Sequence, residues 1–360
     1  MASAFGERIR ISVFGESHGG GIGVVVDGLP AGAAVSEEEL LQFLARRKPG
    51  GSPFSTPRKE TDLPTFLSGL VNGRTTGTPL CATIANADTR SGDYGALRDL
   101  PRPSHADYTA FVKWHGQADM RGGGHFSGRL TAPLCVAGGI ALQILKQRGI
   151  HIGAHLQSVG NAQDLPFPMY PSAEILLAPS KKAFPVCDDA AAEAMQQEIL
   201  AAAKEQDSVG GTIECMAIGL PAGLGDPMFD GMENRIAKAV FGIPAIKGLE
   251  FGSGFACASM RGSVCNDPFC INTDGRIMTE TNHSGGIQGG ITNGMPLRFR
   301  VAIKPTPSIG CPQKTVSLSK GTEETLVIQG RHDPCIAHRA VPVIEAVTAL
   351  VLLDCLCEAE

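Results

Sequence analysis

The stretch 11-ISVFGESHGGGIGVVVDGLP-30 constrains the fold more than any other part of this sequence. Two runs rich in β-branched residues, 8–14 and 23–27, predict short strands. Between them lie Ser17, His18 and a cluster of glycines, which predict a turn because glycine reaches backbone conformations that other residues avoid. The stretch therefore predicts a strand, a flexible turn and a second strand, with a serine and a histidine exposed on the turn.

Residues 15–19 also match G-x-S-x-G, the nucleophile-elbow pattern of serine hydrolases. That pattern requires a strand, a sharp turn and then a helix whose N-terminus supports the oxyanion. Here four glycines occupy the five positions 19–23 and a β-branched run follows, which favours a strand. A serine hydrolase therefore remains only an alternative. His18 either moves a proton near neutral pH or simply bonds a backbone carbonyl.

Composition limits the class of protein. The chain has 360 residues, 19% of them charged, with a net charge of -5, which is typical of a soluble globular protein and argues against nucleic-acid binding. The segment MASAFGERIR has no apolar signal sequence, and eleven cysteines without a C-x-x-C pair indicate free thiols in a reducing compartment. We expect a cytoplasmic protein without a membrane span. We expect no metal site, since the histidines lack the spacing of metal ligands.

Capping signals and apolar patterns predict five helices in an α+β arrangement, because helices and strands alternate without a βαβ rhythm. No linker divides the chain, so we expect a single domain over 1–360. The predicted helices are 37–48 after Ser36, 128–148 with Pro133 inside, 188–205 after Asp188, 227–241 opened by Asp226-Pro227, and a terminal buried helix opened by Asp333-Pro334 that contains 341–356.

Three segments concentrate histidine, cations and glycine in a chain that is acidic overall: 98–129, 281–296 and 329–342. Such local concentration against the global charge predicts an anionic ligand. The glycines 122–124 precede a helix, where backbone N–H groups can face an anion.

With these motifs assembled, the sequence resembles the chorismate synthase family over almost its whole length. The motifs that carry the resemblance are GESHG at 15–19, SGLVNGRTTGTP at 68–79, RPSHADYT at 102–109, RGGG at 121–124, TNHSGGIQGG at 281–290, KPTPSI at 304–309 and GRHDP at 330–334. The resemblance is weakest across 150–205.

The resemblance implies a lyase that converts 5-enolpyruvylshikimate 3-phosphate to chorismate and phosphate, the last step of the shikimate pathway leading to aromatic amino acids. This 1,4-elimination is redox-neutral, yet the family requires reduced FMN. The implied fold is a β-α-β sandwich with helices between antiparallel sheets, and the implied assembly is a homotetramer. NADPH is a candidate source of electrons, although the absence of a large insertion favours an external flavin reductase.

The resemblance also implies roles for single residues. His18 matches a histidine near the leaving phosphate, His105 one that protonates reduced flavin, and Asp333 a carboxylate that helps flavin N5 accept the substrate proton; Ser17 and Ser127 match serines of the same site. Arg129 and Arg339 are added as substrate cations on charge alone. The implied cofactor positions are Arg47, His125, Phe126, Ser127, Pro244, Ala245, Gly289, Lys304, Pro305, Thr306, Pro307, Ser308 and Arg331.

Several positions depart from the family pattern. His125 and Phe126 replace an arginine and a serine after RGGG, Ser104 replaces a glycine, and Pro53 replaces an expected arginine. The first two predict altered FMN affinity, and the last weakens a nicotinamide-nucleotide role for Arg47. A diverged, non-catalytic flavin-binding protein is therefore the second hypothesis.

Overall fold

The structure is a computed structural model that describes residues 3–48, 50, 61–86, 99–328 and 333–360. Its strands are β1 (Ala4–Phe5), β2 (Arg10–Gly15), β3 (Gly21–Asp27), β4 (Thr65–Ser68), β5 (Leu70–Val71), β6 (Arg74–Thr75), β7 (Leu80–Ala85), β8 (His151–Val159), β9 (Ala162–Gln163), β10 (Gly211–Ile218), β11 (Ile246–Phe251), β12 (Phe269–Ile271), β13 (Ile277–Thr279), β14 (Ile287–Gln288), β15 (Ile291–Thr292), β16 (Leu297–Ile303), β17 (Gln313–Ser317) and β18 (Thr322–Leu326). Its α-helices are α1 (Glu37–Arg47), α2 (Asp107–Lys113), α3 (Thr131–Gln147), α4 (Ala173–Leu177), α5 (Asp189–Lys204), α6 (Met232–Val240), α7 (Gly262–Cys265) and α8 (Ala337–Ala359).

Two antiparallel five-stranded sheets form the outer layers. The first has the order β1-β2-β3-β7-β4 and the second β11-β16-β10-β8-β9. Helix α3 packs against β3 and β7 of the first sheet, α8 packs against β8 and β10 of the second, and the two helices pack against each other. The expected α+β class and β-α-β sandwich are therefore confirmed.

The central helices approach each other closely at a glycine. A Cβ atom placed on Gly138 of α3 would lie 2.3 Å from the Cβ of Ala346 on α8, so no larger residue fits without moving one helix. The segments Gly128–Gln147 and Ala337–Ala359 are long and apolar enough to span a membrane, but 72% and 83% of their apolar windows are buried. The terminal segment is thus a core helix as predicted, although longer than 341–356.

The predicted starts of α1 and α5 are confirmed, whereas α3 starts at residue 131 instead of 128. Ser36 Oγ accepts the N–H of Glu39 at 3.2 Å at the start of α1, and Asp188 accepts the N–H of Ala190 at 3.1 Å before α5. Helix α3 begins at Thr131, after a 3₁₀ turn over Gly128–Leu130, so that Pro133 falls in the first turn, where no intrahelical N–H bond is lost.

Two predicted caps are wrong. Pro227 is followed by a 3₁₀ turn, Met228–Asp230, and α6 starts after Gly231, so Asp226 caps nothing and instead faces Arg235 at 3.5 Å. Helix α8 starts at Ala337 behind Ile336. Asp333 does not cap it, because its carboxylate pairs with Arg339 on the helix at 2.7 Å.

Candidate functional site

The turn between β2 and β3 carries Ser17 and His18, which are both largely buried, so their predicted exposure on the turn is wrong. The two strands pair in antiparallel register from Arg10 opposite Asp27 to Gly15 opposite Ile22, so the predicted strand–turn–strand is confirmed and no helix follows the serine. Ser17 Oγ donates to the carbonyl of Arg121 at 3.1 Å. A hydroxyl directed at a backbone carbonyl is not activated by a base, which argues against a serine nucleophile.

The glycine turn at 122–124 packs directly against Ser17 and His18. Its three residues have φ values of +62°, +92° and +54°, which only glycine adopts readily. A Cβ on Gly122 would lie 2.6 Å from both His18 Nε2 and Ser17 Oγ. The RGGG motif therefore permits a backbone approach that side chains would block.

The other face of the same turn meets the second predicted histidine. A Cβ on Gly123 would lie 3.4 Å from His105 Nε2 and 3.6 Å from Ser127 Cβ. The turn thus brings His18 and Ser17 on one side into proximity with His105 and Ser127 on the other. Four of the five predicted catalytic residues surround one stretch of backbone.

An ion pair between Arg102 and Asp107 holds the His105 ring in place. Its Nδ1 lies 2.7 Å from Asp107 Oδ1, and Arg102 Nε donates to Asp107 Oδ2 at 2.7 Å. Burial alone would raise the pKa of Asp107, but hydrogen bonds from Arg102 and His105 hold that pKa far below its usual range.

The predicted flavin loop 304–308 contacts this segment through two of its residues, Lys304 and Ser308. Arg102 Nη1 donates to Ser308 Oγ at 3.3 Å, and Lys304 Nζ donates to the carbonyl of Ser104. The N–H of Lys304 donates to the carbonyl of Ala245 at 3.0 Å, so the predicted positions 244 and 245 lie at the same sheet end. Burial, then Lys247, lowers the pKa of Lys304.

Two features of this loop fit a bound ligand. The Thr306 hydroxyl is buried, and no described residue forms a hydrogen bond with it. Ala245 has a φ of +73°, a conformation that non-glycine residues hold mainly where the surroundings enforce it. Ser308 also lines a cavity of about 450 Å³, and Asp333 belongs to the lining of the same cavity.

A buried cation cluster adjoins the same region. Arg47 and Arg129 both pair with the fully buried carboxylate of Asp62. Burial alone would raise the pKa of Asp62, but the two guanidinium groups outweigh it and lower that pKa. Arg129 Nε also donates to Asn86 Oδ1 at 3.1 Å.

The terminal helix connects the cluster to Asp333. Arg339 Nε donates to the carbonyl of Arg47 at 3.1 Å and Nη1 donates to Asp333 Oδ2 at 2.7 Å. Burial lowers the pKa of Arg339. Among the described residues, three arginines here meet two carboxylates, and such a concentration of cations suits an anionic ligand.

The amide of Asn86 links the cation cluster to the histidine turn. Its Nδ2 donates to the carbonyls of Glu16 and Gly19 at 2.9 and 3.0 Å, on either side of His18. Contacts therefore link the turn that carries His18, through Asn86 and the arginines, to Asp333. Other contacts link Ser308, through Arg102 and Asp107, to His105 beside the glycine turn. Ser308 and Asp333 belong to the lining of the same cavity, and we call this group of residues the site ring.

His125 and Phe126, the two residues after RGGG that depart from the family pattern, form contacts within the chain. His125 Nδ1 lies 2.8 Å from the carbonyl of Gly15, and Nε2 lies 2.7 Å from Ser3 Oγ. The ring of Phe126 packs on Trp114 with centroids 5.7 Å apart. Both side chains thus brace the site ring from outside, which adds a packing role to their predicted cofactor role.

Other predicted positions are placed elsewhere or lie outside the described residues. Gly289 has a φ of +63° in the β14–β15 turn, and its neighbour Gly290 contacts Gly225 and Gly231. Pro305 packs on Gly210, and Gln313 donates to the carbonyl of Pro307 at 3.3 Å. Arg331 and Pro53 lie outside the described residues.

Sequence reasoning missed the carboxylates that organise the cations. Asp62 is buried between two arginines, Asp107 is buried between Arg102 and His105, and Asn86 joins two parts of the site. The spacing of Arg102, His105 and Asp107 within RPSHAD was a usable signal. No such sequence signal surrounds Asp62, because its partners are distant in sequence.

Metal-ligand residue types converge at one other place among the described residues, where His155, Asp164 and Cys187 lie close together. Both ring nitrogens of His155 are taken: Nδ1 lies 2.8 Å from Asp164 and Nε2 lies 2.9 Å from Glu214. Burial would lower the pKa of His155, but Asp164, Cys187 and Glu214 raise it to about 11. A protonated ring offers no lone pair, so we interpret the group as a buried ion cluster.

Comparisons with known proteins agree with this geometry. The family model described as chorismate synthase matches residues 9–357. A chorismate synthase of Thermococcus kodakarensis is 49% identical over 350 residues, covering 97% of this chain and 96% of that protein. One of Opitutus terrae is 49% identical over 360 residues, covering 98% and 96%. A crystal structure of chorismate synthase superposes with a TM-score of 0.77 at 29% identity, covering 99% of this chain and 93% of that chain.

Proposed function

The chain belongs to the chorismate synthase family, and we propose that this lyase converts 5-enolpyruvylshikimate 3-phosphate to chorismate and phosphate with reduced FMN bound in the site ring. The observation that carries the proposal is that two histidines, a glycine turn and a buried cation cluster lie together in one group of residues. We propose further that 1–360 acts as a single domain.

The charges of the site ring suit the substrate. A phosphorylated dicarboxylate needs several cations, and Arg129 and Arg339 supply two that are braced by Asp62 and Asp333. Arginine presents a planar fork of donors to phosphate or carboxylate, so a partly neutralised cluster can bind an anion without losing its fold.

The residues of the 304–308 loop fit FMN. The Thr306 hydroxyl, which has no partner among the described residues, would hold its polar groups together with Ser308 and the Lys304 ammonium, with Pro244 and Ala245 beside them. When bound, reduced FMN would supply the electron-rich ring that allows phosphate to leave without net oxidation. Ser127 and the glycine turn would approach it from the side of His105.

The two histidines would divide the proton transfers. His18 would donate a proton toward the leaving phosphate, since Ser17 and the glycine turn hold it at the edge of the cation cluster. His105 would control the proton near the flavin, and Asp333, which lines the cavity, would accept a proton at its carboxylate.

Electrons would come from an external flavin reductase. Arg47, the residue assigned to a nicotinamide nucleotide by resemblance, is 3% exposed and committed to Asp62, which weakens the case for NADPH bound directly. We also propose that the enzyme is cytoplasmic. Its family and the burial of its two long apolar helices support this location.

We propose a homotetramer as the working assembly. Large apolar side chains that a monomer would leave in water support it, among them Phe255 at 86% and Phe229 at 85% exposed. Light scattering on the purified chain should give four times the mass of one chain, and a monomer that still turns over would overturn this part.

The second hypothesis is a diverged flavin-binding protein, which the substitutions His125 and Phe126 motivate. Their contacts to Gly15, Ser3 and Trp114 show that both residues fit the fold without distorting it. The test is stoichiometry: purified protein, substrate and photoreduced FMN under nitrogen should release one phosphate per chorismate formed. Bound flavin with no release of either product would favour the second hypothesis.

A further inference from the structure

The ion pair that holds His105 includes Asp107, a residue without a role in the proposed reaction. Asp107 is buried at the start of α2, and both of its carboxylate oxygens accept hydrogen bonds from Arg102, at 2.7 Å from Nε and 2.8 Å from Nη2. The backbone N–H of Arg102 donates to it as well, at 2.9 Å. Three donors from one residue fix the carboxylate in a single orientation.

An ionised carboxylate can only accept hydrogen bonds. His105 Nδ1 lies 2.7 Å from Asp107 Oδ1, so Nδ1 must carry the proton in that contact. Arg102 Nη2 has a second N–H and lies 3.1 Å from Nδ1, where it donates only if Nδ1 is unprotonated; an unprotonated Nδ1 would place its lone pair 2.7 Å from an ionised oxygen, so the contact with Asp107 favours a proton on Nδ1. The neutral ring is therefore held with its lone pair on Nε2.

The free nitrogen points to the proposed reaction site. A Cβ on Gly123 would lie 3.4 Å from His105 Nε2, and no described residue forms a hydrogen bond with that atom. The His105 side chain is 14% exposed, so Nε2 is reachable by a small ligand but shielded from bulk solvent.

We propose that Asp107 is a positioning residue that holds His105 in the Nδ1–H tautomer and aims Nε2 at the glycine turn, with Arg102 orienting the carboxylate. This deepens the proposed function and rests on it for the catalytic consequence. The tautomer itself is a property of the ligand-free protein and can be measured whether or not the chain makes chorismate.

The test is ¹⁵N NMR of the ligand-free protein labelled in its histidine rings, with the His105 signals assigned from a His105→Gln variant. The wild-type ring should be protonated at Nδ1 when neutral. In Asp107→Asn the amide can donate to Nδ1, and the population should shift to the Nε2–H tautomer. Asp99→Asn, which removes a carboxylate bonded to Ser317 on the same segment, should leave the tautomer unchanged.

Turnover gives the second measurement. Asp107→Asn should reduce kcat by about 10²–10⁴-fold, as expected for a histidine in the wrong tautomer, with a much smaller change in KM. A wild-type ring protonated at Nε2, or an unchanged tautomer in folded Asp107→Asn, would overturn the proposal. If Asp107→Asn does not fold, the wild-type spectrum alone decides.

Discussion

At the scale of single residues, Ser104 occupies a backbone conformation suited to glycine. Its φ is +62°, and the turn it makes places His105 against the glycine turn while its carbonyl accepts from Lys304. A left-handed conformation costs an L-residue about 1–2 kcal/mol. The glycine expected from the family pattern would remove that strain, and the serine offsets part of it by a 3.2 Å contact from its hydroxyl to Lys304 Nζ.

We expect Ser104→Gly to raise the free energy of unfolding by about 0.5–1 kcal/mol, because the relief of strain exceeds the added entropy of the unfolded chain. Urea denaturation measures the change. Ser104→Ala is the matched control, since it keeps the Cβ and loses the hydroxyl, and it should not be stabilised. Equal stability of all three proteins would show that the left-handed turn is not strained.

Proton transfer is also a property of single residues. His18→Ala and His105→Ala should each lose about 10²–10⁴ in rate, the range for removal of a general acid or base. The exposed His115, which also has a positive φ, gives the control His115→Asn with unchanged rate. Full activity in either alanine variant would refute the assigned role.

Local residue patterns predict those structural features that depend on residues close together in the sequence. The periodicity of apolar residues and the capping residues predict the hairpin at 10–27, the Ser36 cap and the buried terminal helix. The structure contains all three. The helix cap predicted at Asp333 is wrong, because the carboxylate of Asp333 pairs with Arg339 instead. Asp62 could not be foreseen, since it joins Arg47 to Arg129, two residues separated by 81 intervening positions (48 to 128) that only the fold brings together.

At the scale of elements, the end of α1 and the start of α3 are joined through charge. Arg47 ends α1, Arg129 precedes α3, and the carboxylate of Asp62 is the counter-charge between them. Its side chain has no exposed surface, so water cannot replace it. Removing one partner from such a buried group leaves uncompensated charge.

Asp62→Asn should therefore lower the free energy of unfolding by about 3–5 kcal/mol, with asparagine chosen because it tolerates the φ of +48° at this position. Chemical denaturation checks it. Asp119→Asn, whose partner Arg121 is half exposed, is the comparison and should cost below 1 kcal/mol. A loss of the same small size for Asp62→Asn would mean that the arginines do not depend on it.

At the scale of the whole molecule, the ion cluster of His155 ties the second sheet together. The ring of His155 on β8 bonds Glu214 on β10, and Glu214 pairs with Arg298 on β16. The pKa of His155 is raised from 6.5 to about 11 in the folded protein. Its contribution to stability is thus complete below about pH 6.5 and is lost as pH rises toward 11.

Between pH 7 and 9 the folded chain holds one proton more than the unfolded chain at this position. This group alone should lower stability by about 1.4 kcal/mol per pH unit across that window. Urea denaturation at pH 7, 8 and 9 measures the slope, and His155→Gln should make it less negative. Identical slopes for wild type and variant would contradict a protonated His155.

The most direct test of the central claim is the initial rate of chorismate formation under nitrogen with photoreduced FMN, with oxidised FMN and with no flavin. The site ring combines a flavin loop with proton-transfer residues for a redox-neutral elimination, so it predicts product with reduced FMN and none in the other two reactions. The flavin should stay reduced throughout. Product at equal rates with oxidised FMN, or none with reduced FMN bound, would contradict the account.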